Sequence, residues 1–418
     1  MTVTSERLVT PDQVRAAVRA WVSENWDGSL SLLEWRTRLV RSGWAVPSWP
    51  NQWYGRDLPE WANSVAREEI LSCGSVGGPI GTGMSLVAPT IRVHGPDATR
   101  ERFLYKTLTG VLRWCQLFSE PGAGSDLAAL TTRAELDGEE WVVSGQKVWN
   151  TSANRAGSGL LLARTDWDVP KHRGLTMFAL PMHQPGVEVR PLRQMNDRSS
   201  FSEVFMTDAR LPRDNVIGEL NDGWRVAMTT LAFERDFGSA LTPPDYSARS
   251  GLALREAALE AAEHFQTYDW YAQREGRVDL VLERARLTGR LDDPVIRQEI
   301  AKLLMAHRTS KLTADRARAA SAAGQEPGPG GSIGKLSMSR VAQQAARVHT
   351  LLLDADGMLA GADAPLAGVL AEILLSVPAQ SIAGGTDEIQ RNILGEKILG
   401  LPREPAADRD VPFRNIPR

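Results

Sequence analysis

The stretch SEPGAGSD, residues 119–126, marks the place where the pattern of the chain changes. Pro121, Gly122 and Gly124 force a tight, irregular backbone, and their small size lets a flat or anionic group approach it closely. The same residues would also fit a polar turn between a helix and a strand. It is not a Walker phosphate loop, because no Gly-Lys-Ser or Gly-Lys-Thr follows. The stretch predicts a turn, with a ligand loop and a plain connection as its two interpretations.

The residues on either side of this turn differ in hydrophobic period. Before it, Thr10, Pro11 and Gln13 form a capping-box helix start, and helical segments follow at about 30–43 and 60–73. After it, apolar and polar residues alternate up to a hairpin signal, Asp-Gly at 137–138. Short runs bounded by Gly, Pro or Asp then predict further strands, namely GLLLARTD, GLTMFALPM, GVEVRPL and SEVFMTDARLP.

Helical periodicity returns at Gly223 and continues through segments at 293–323, 334–361 and 364–377. The stretch GQEPGPGGS, residues 324–332, is predicted to be a flexible loop between two of these helices. The predicted fold class is therefore α+β. Its predicted domains are an N-terminal helical domain at 1–115, a middle β-barrel or sandwich domain at 116–220, and a C-terminal helical domain at 221–418.

Composition excludes several classes of protein. The 418 residues are 42% hydrophobic and 24% charged, which excludes a disordered, collagen-like or disulfide-rich chain. The net charge of −3, with no basic cluster, argues against nucleic acid as a partner. Cys73 and Cys115 are far apart and no Cys/His spacing offers a zinc site, so we expect reduced thiols and no metal. The start lacks a signal peptide, and the apolar run before Ser381 is broken by Glu372 and Pro378, so we expect a cytoplasmic protein without a membrane span.

Two further motifs suggest chemistry. SGQKVWNTSA, residues 144–153, carries Trp149 beside the hydroxyls of Thr151 and Ser152, which could stack on an aromatic ligand and bond its edge; a core Trp is the alternative. AGGTDEIQRNILGEKILGLPRE, residues 383–404, opens a helix whose free N–H groups could receive a polar ligand; a capped helix start is the alternative.

SEPGAGSD, KVWNTSA and GGTDEIQRNILGE, taken together and in this order, resemble the acyl-CoA dehydrogenase family. The resemblance covers residues 10–405 and implies an N-terminal α-helical domain, a middle β domain and a C-terminal four-helix bundle. It also implies FAD as cofactor and oxidation of an acyl-CoA thioester to the trans-2-enoyl-CoA. No GxSxG elbow or His/Cys cluster offers a competing hydrolase or metal chemistry.

The resemblance assigns site residues by position. The cofactor-binding positions it implies are Gln116, Phe118 and Ser119 along the flavin ring, Trp149 and Thr151 over it, Gly384, Thr386 and Glu388 at the last helix, and Arg286 in ARLTGR, where the family's usual spacing is not kept. Ser125 matches a residue near the thioester or pantetheine.

The base is predicted to lie away from its commonest position. Many relatives carry a catalytic Glu in an EGT motif, but this chain has Gly384 there, which keeps only the backbone N–H expected at the enolate oxygen. A second subset places the Glu in an earlier Glu-Arg pair, here Glu234 and Arg235, and Arg235 is then expected to contact the substrate. Glu234 follows Ala227 and Leu231 on one helical face, where burial would raise a carboxyl pKa as a base requires; a structural Glu paired to an arginine is the alternative. Pro-Pro at 243–244 predicts an early end to this helix and a reshaped acyl pocket.

The leading interpretation is an FAD-dependent acyl-CoA dehydrogenase acting on a bulky, branched or steroid-type acyl group. The resemblance to actinobacterial members implies a homo-oligomer or an α2β2 heterotetramer with a second such chain, and an electron-transferring flavoprotein as acceptor. One alternative is a non-catalytic, partner-dependent subunit, which Gly384 favours and Glu234 opposes. The other is an acyl-ACP dehydrogenase or a flavin monooxygenase of the same fold.

Overall fold

The computed structural model describes residues 10–236, 246, 250–322, 331–359, 361–405 and 408–417. These residues divide into two compact units. The first consists of residues 10–192, 200–267 and 408–417, and the second of residues 193–199 and 268–405.

The first unit begins with helices, as the sequence predicts. They are α1 (Pro11–Asn25), α2 (Leu32–Arg41), α3 (Ala62–Ser72), α4 (Ala88–His94) and α5 (Asp97–Leu108). The predicted capping box is present, because Gln13 N donates to Thr10 Oγ1 at 3.3 Å and Thr10 N donates to Gln13 Oε1 at 2.8 Å. A second capping box at Ser31 and Glu34 starts α2. A single π-helical turn, Gly83–Val87, leads into α4.

A sheet follows, built from β1 (Trp114–Leu117), β2 (Arg133–Asp137), β3 (Glu140–Thr151), β4 (Ser158–Arg164), β5 (Leu175–Pro181), β6 (Val187–Leu192) and β7 (Phe201–Pro212). In the described residues the strand order is β1-β4-β2-β3-β7-β6, with β5 beside β4. The predicted hairpin at Asp137 joins β2 and β3. β1 runs parallel to β4, whereas the β2–β3, β3–β7, β4–β5 and β6–β7 pairs are antiparallel.

β4 explains why the run GLLLAR lacks alternation. Leu160 and Leu162 face a core shared with the helices, whereas Leu161 and Ala163 face a second core within the curled sheet. A strand that is buried on both faces reads as a continuous apolar run. The sheet therefore carries helices on one face and closes on its own side chains on the other.

Two helices after the sheet belong to the first unit. α6 (Gly223–Asp236) begins where a Cβ on Gly223 would lie 2.7 Å from the Thr176 backbone, so only glycine fits there. α7 (Leu252–Gln266) adds Leu254 and Ala257 to the core of α1, α2 and α3. The double proline at 243–244, which predicts an early helix end, lies outside the described residues, and the described α6 ends at Asp236.

The second unit contains α8 (Tyr271–Arg274), α9 (Val281–Leu287), α10 (Pro294–Ala322), α11 (Gly331–Leu353), α12 (Val369–Ser376), α13 (Pro378–Ile382) and α14 (Asp387–Lys397). α11 ends sooner than the predicted residue 361, because Asp354 turns left-handed, with φ +50°, and a 3-10 turn follows. α12 starts later than the predicted residue 364, because Leu366, Ala367 and Gly368 have positive φ. The loop predicted at 324–332 lies largely outside the described residues, and α11 already begins at Gly331.

One stretch of the described chain, Pro365–Lys397, is long and apolar enough to pass a composition test for a membrane span, with a mean hydropathy of 1.6. Such a result is weak evidence, because core helices of folded proteins pass the same test. In the structure this stretch is not one helix. It is divided into α12, α13 and α14, with Gly384 and Gly385 left-handed between the last two.

Candidate active site

The SEPGAGSD turn lies directly after β1 and is held to the end of β3. Val148 N donates to Ser119 O at 2.9 Å, and Glu120 and Ala123 exchange backbone hydrogen bonds of 3.0 and 3.1 Å. Phe118, just before the turn, is buried in the core shared with the helices. Ser125, at the far side of the turn, is exposed. A Cβ added at Gly122 or Gly124 would meet nothing within 4 Å, so the tip of the turn faces open space.

Trp149 stands out from the end of β3. The β3–β7 register shifts between Lys147 and Asn150, and Trp149 takes a left-handed backbone with φ +64°. Its ring is 57% exposed and meets the edge of Phe201 at a centroid distance of 5.7 Å. The alternative of a core Trp is therefore wrong for this residue. A large ring that stays exposed on a strained backbone presents an aromatic face on which a ligand can stack.

Thr151 lies two residues further on, partly buried and opposite Phe201 in the β3–β7 ladder. Between the two, Asn150 is buried and its Nδ2 donates to Gln116 O at 2.7 Å. The structure thus brings Gln116, Phe118, Ser119, Trp149 and Thr151 together in the first unit. These five residues, called the first-unit platform below, include an exposed aromatic face and a hydroxyl.

A buried ion pair that the sequence reasoning missed lies under this platform. Lys147 Nζ donates to Glu120 Oε1 and to Phe118 O, both at 2.9 Å, and the Lys147 and Glu120 side chains are 0% and 6% exposed. The Glu120 carboxylate also accepts from Thr131 N at 2.7 Å and Thr132 N at 2.8 Å. Burial alone would raise the pKa of Glu120, but the Lys147 ammonium and these donors lower it to about 2. Glu120 is therefore ionised at neutral pH.

The predicted base lies on α6. Trp224, Ala227 and Leu231 pack into the core shared with the sheet, and Glu234 follows on the same face with a partly buried side chain. Upstream on this helix, Thr230 Oγ1 lies 3.0 Å from Thr90 Oγ1. The helix therefore anchors one face in the core and carries Glu234 near its described end. The side chain of Arg235, the predicted substrate contact, lies outside the described residues.

In the second unit, Gly384 and Gly385 have φ of +67° and +84° and lead into α14. Gln390 Nε2 donates to Gly384 O at 2.8 Å, which fixes the orientation of that carbonyl. Thr386 is the N-cap, with Oγ1 accepting from Ile389 N at 3.3 Å, so its O–H can still donate to another group.

Two further predicted cofactor positions, Glu388 and Arg286, lie in the second unit. Glu388 is exposed and its carboxylate pairs with Arg391 at 2.9 Å, which makes it a poor neighbour for a diphosphate. Arg286 is exposed on α9. Among the described residues no group of three or more His, Cys, Asp or Glu side chains could hold a metal ion.

The first-unit platform fits an isoalloxazine ring. A flat ring with polar edges needs an exposed aromatic face beside a hydrogen-bonding group, and Trp149 provides the face and Thr151 a hydroxyl.

Comparison with known proteins gives one consistent result. Family models for the N-terminal, middle and C-terminal domains of acyl-CoA dehydrogenases match residues 9–111, 115–209 and 253–399. The chain is 32% identical over 416 residues to acyl-CoA dehydrogenase IpdE1 of Mycobacterium tuberculosis, covering 94% of this chain and 98% of that protein.

Solved structures agree. The ChsE4-ChsE5 complex from Mycobacterium tuberculosis matches with a TM-score of 0.64 and 25% identity over 97% of this chain and 100% of that chain. The Tcur3481-Tcur3483 steroid acyl-CoA dehydrogenase matches with a TM-score of 0.63 and 25% identity over 94% of this chain and 98% of that chain. Members of the family bind FAD and act as oxidoreductases. This chain belongs to the acyl-CoA dehydrogenase family.

Proposed function

We propose that this enzyme oxidises a bulky, steroid-type acyl-CoA thioester, with Glu234 as the base that removes the α-proton. The observation that carries the assignment is the pairing of two facts. Gly384 offers no carboxylate and has φ +67°, whereas Glu234 is a partly buried carboxylate on the core-facing side of α6. The bulky substrate is supported by the structural similarity to a steroid acyl-CoA dehydrogenase.

The proposed step balances in two transfers. Glu234 takes the proton from the α-carbon, and the electron pair of that C–H bond becomes the new double bond as hydride leaves the β-carbon. FAD, when bound, supplies the oxidant that accepts this hydride. Trp149 and Thr151 are proposed to hold the flavin ring, and Gln116, Phe118 and Ser119 to line its edge through their backbone. Of the two proposed α14 contacts, Thr386 suits a phosphate better, because the Glu388 carboxylate would repel it.

Ser125 is proposed to contact the thioester end of the substrate. Its exposure on the open side of the SEPGAGSD turn supports this role, because a ligand can reach it without moving the core. Arg235 is a further proposed contact to the substrate, and Gly384 and Arg286 are further proposed contacts to the cofactor. Gly384 retains a backbone N–H for the enolate oxygen whatever its side chain is.

An α2β2 heterotetramer with a second acyl-CoA dehydrogenase-like chain is the proposed assembly. Two solved relatives carry the names of two chains each, ChsE4-ChsE5 and Tcur3481-Tcur3483, which supports a two-chain enzyme. A partner-dependent, non-catalytic role remains the second candidate, and the absence of a carboxylate at Gly384 is the observation that favours it. An electron-transferring flavoprotein is the proposed acceptor.

The test is anaerobic bleaching of the flavin band by a panel of acyl-CoA esters, from short chain to steroid-type. We expect a steroid-type ester to bleach the band fastest, and Glu234→Gln to keep the yellow cofactor while bleaching about 10²–10⁴-fold more slowly. Glu139→Gln is the matched control, because Glu139 is 86% exposed on the β2–β3 turn. Bleaching of Glu234→Gln at the control rate would disprove the base. A colourless protein that takes up FAD only with a second chain would establish the partner-dependent candidate instead.

A further inference from the structure

The Glu120–Lys147 pair joins two motifs that are separated by 27 positions in the sequence. Lys147 lies within β3 and Glu120 lies in the SEPGAGSD turn. Both side chains are taken out of water, at 0% and 6% exposure. Removing two charges from water costs about as much as their attraction gains, so the pair as a whole is weak evidence for a role in stability, whereas removing one partner leaves a buried charge unpaired and destabilises the fold.

The atoms that the pair holds are those of the platform. Lys147 Nζ donates to Phe118 O, the neighbouring Val148 N donates to Ser119 O at 2.9 Å, and Asn150 Nδ2 donates to Gln116 O. Three residues within four positions of β3 thus bind the carbonyls at 116, 118 and 119. Trp149 lies between them and projects outward.

The Glu120 carboxylate extends this connection on the other side. Thr131 N, Thr131 Oγ1 and Thr132 N donate to it at 2.7, 2.9 and 2.8 Å, so the turn is also fixed to the residues that enter β2. The ammonium of Lys147 is then the one donor that ties this network to the Phe118 carbonyl in the described contacts. Its loss would release the Phe118 carbonyl, while Ser119 O keeps its hydrogen bond from Val148 N.

We propose that Lys147 and Glu120 are positioning residues for FAD, which set the backbone at residues 116–119 and the Trp149 ring in the geometry that binds the flavin. This inference rests on the proposed placement of FAD on the first-unit platform. Neither side chain touches the flavin in this proposal. They act through the carbonyls and the strand that they hold.

A second buried ion pair in the same unit provides a matched control. Arg36 and Glu260 join α2 to α7 with N–O distances of 2.6 and 2.9 Å, and their side chains are 5% and 18% exposed. The pair is comparable in burial and contacts no residue of the platform. A variant of Arg36 therefore loses a buried charge partner without changing the flavin-facing backbone.

The experiment measures dissociation of FAD from the holoenzyme on dilution, through the rise in flavin fluorescence, for Lys147→Met and Arg36→Met. We expect both variants to lower the melting temperature, and Lys147→Met alone to raise the FAD dissociation constant, by roughly tenfold or more, because a displaced binding group loses much of its contribution. The double variant Glu120→Gln/Lys147→Met removes both charges and is the second test if the single variant does not fold. It should also bind FAD more weakly, since the Phe118 carbonyl is released.

An FAD dissociation constant for Lys147→Met and the double variant equal to that of Arg36→Met would overturn the inference. Trp149→Ala separates this failure from failure of the platform itself. If Trp149→Ala weakens FAD binding and the Lys147 variants do not, only the positioning role is wrong. If Trp149→Ala also leaves FAD binding unchanged, the placement of the flavin is wrong and the positioning role fails with it.

Discussion

Replacing Glu120 by Gln tests how strongly the buried pair is charged in the folded enzyme. The carboxyl pKa of Glu120 falls from an ordinary value of 4.5 to about 2, because Lys147 and the backbone donors outweigh the effect of burial. A lowered carboxyl pKa stabilises the folded state above the unfolded pKa, and this stability is lost as the pH falls toward the folded value. The carboxylate therefore contributes about 3 kcal/mol at pH 7. The pair as a whole contributes less than this, because burial lowers the pKa of Lys147 and its buried ammonium is itself destabilising.

The measurement is urea unfolding of wild type and Glu120→Gln between pH 7 and pH 3, followed by circular dichroism. At pH 7 we expect Glu120→Gln to be less stable by about 3–5 kcal/mol, since it leaves the Lys147 ammonium buried without its partner. That gap should narrow by about 1 kcal/mol at pH 4 and about 2 kcal/mol at pH 3, because the unfolded wild-type chain takes up a proton at Glu120 that the folded enzyme does not yet bind. The control is Glu188→Gln, at an exposed pair with Arg190 that also lowers the Glu188 pKa, and its change should be much smaller because solvent screens the pair. A gap for Glu120→Gln that is constant over this pH range would refute the reasoning.

Two further pairs of substitutions test the packing of the C-terminal residues and the backbone conformation before α14. Phe413 is 3% exposed, and the Arg164 guanidinium carbon lies 3.5 Å from the centre of its ring. Phe413→Ala should therefore lower the free energy of unfolding by about 3 kcal/mol and speed hydrogen exchange at residues 408–417. The control Arg414→Ala removes an exposed side chain and should cost under about 1 kcal/mol, and equal effects of the two variants would contradict this packing. Gly385→Ala should lower the melting temperature more than Gly384→Ala, because a Cβ at 385 would lie 2.7 Å from Gln390 Nε2 while one at 384 meets nothing within 4 Å; the opposite order would show that the clash is relieved.

Much of the fold could be predicted from local signals. The capping box at Thr10, the Asp137 hairpin and the helix from Gly223 are each encoded within a few residues, and each is confirmed. Helix ends were less predictable. α11 stops at Leu353 although the apolar pattern continues, because the left-handed Asp354 is a feature of the backbone that periodicity does not report.

The site was predictable where the residue itself is distinctive. Trp149, Thr151 and the SEPGAGSD turn were singled out, and the structure brings them together in the first unit, although their roles stay predictions. The Glu120–Lys147 ion pair could not be predicted from either motif alone, because the two residues are 27 positions apart and meet only in the folded chain. Both residues nevertheless lie inside the quoted motifs. Alternation places Lys147 on the inner face of its strand, and a buried charge is costly unless an opposite charge pairs with it.

The two left-handed glycines before α14 limit how this enzyme can be redesigned. Any L-residue at position 384 would pay about 1–2 kcal/mol for φ +67°, and its Cβ would find no neighbouring atom within 4 Å to orient a carboxylate. A Gly384→Glu substitution would thus add a carboxylate on a strained backbone, with no neighbouring residue of the described structure close to its Cβ.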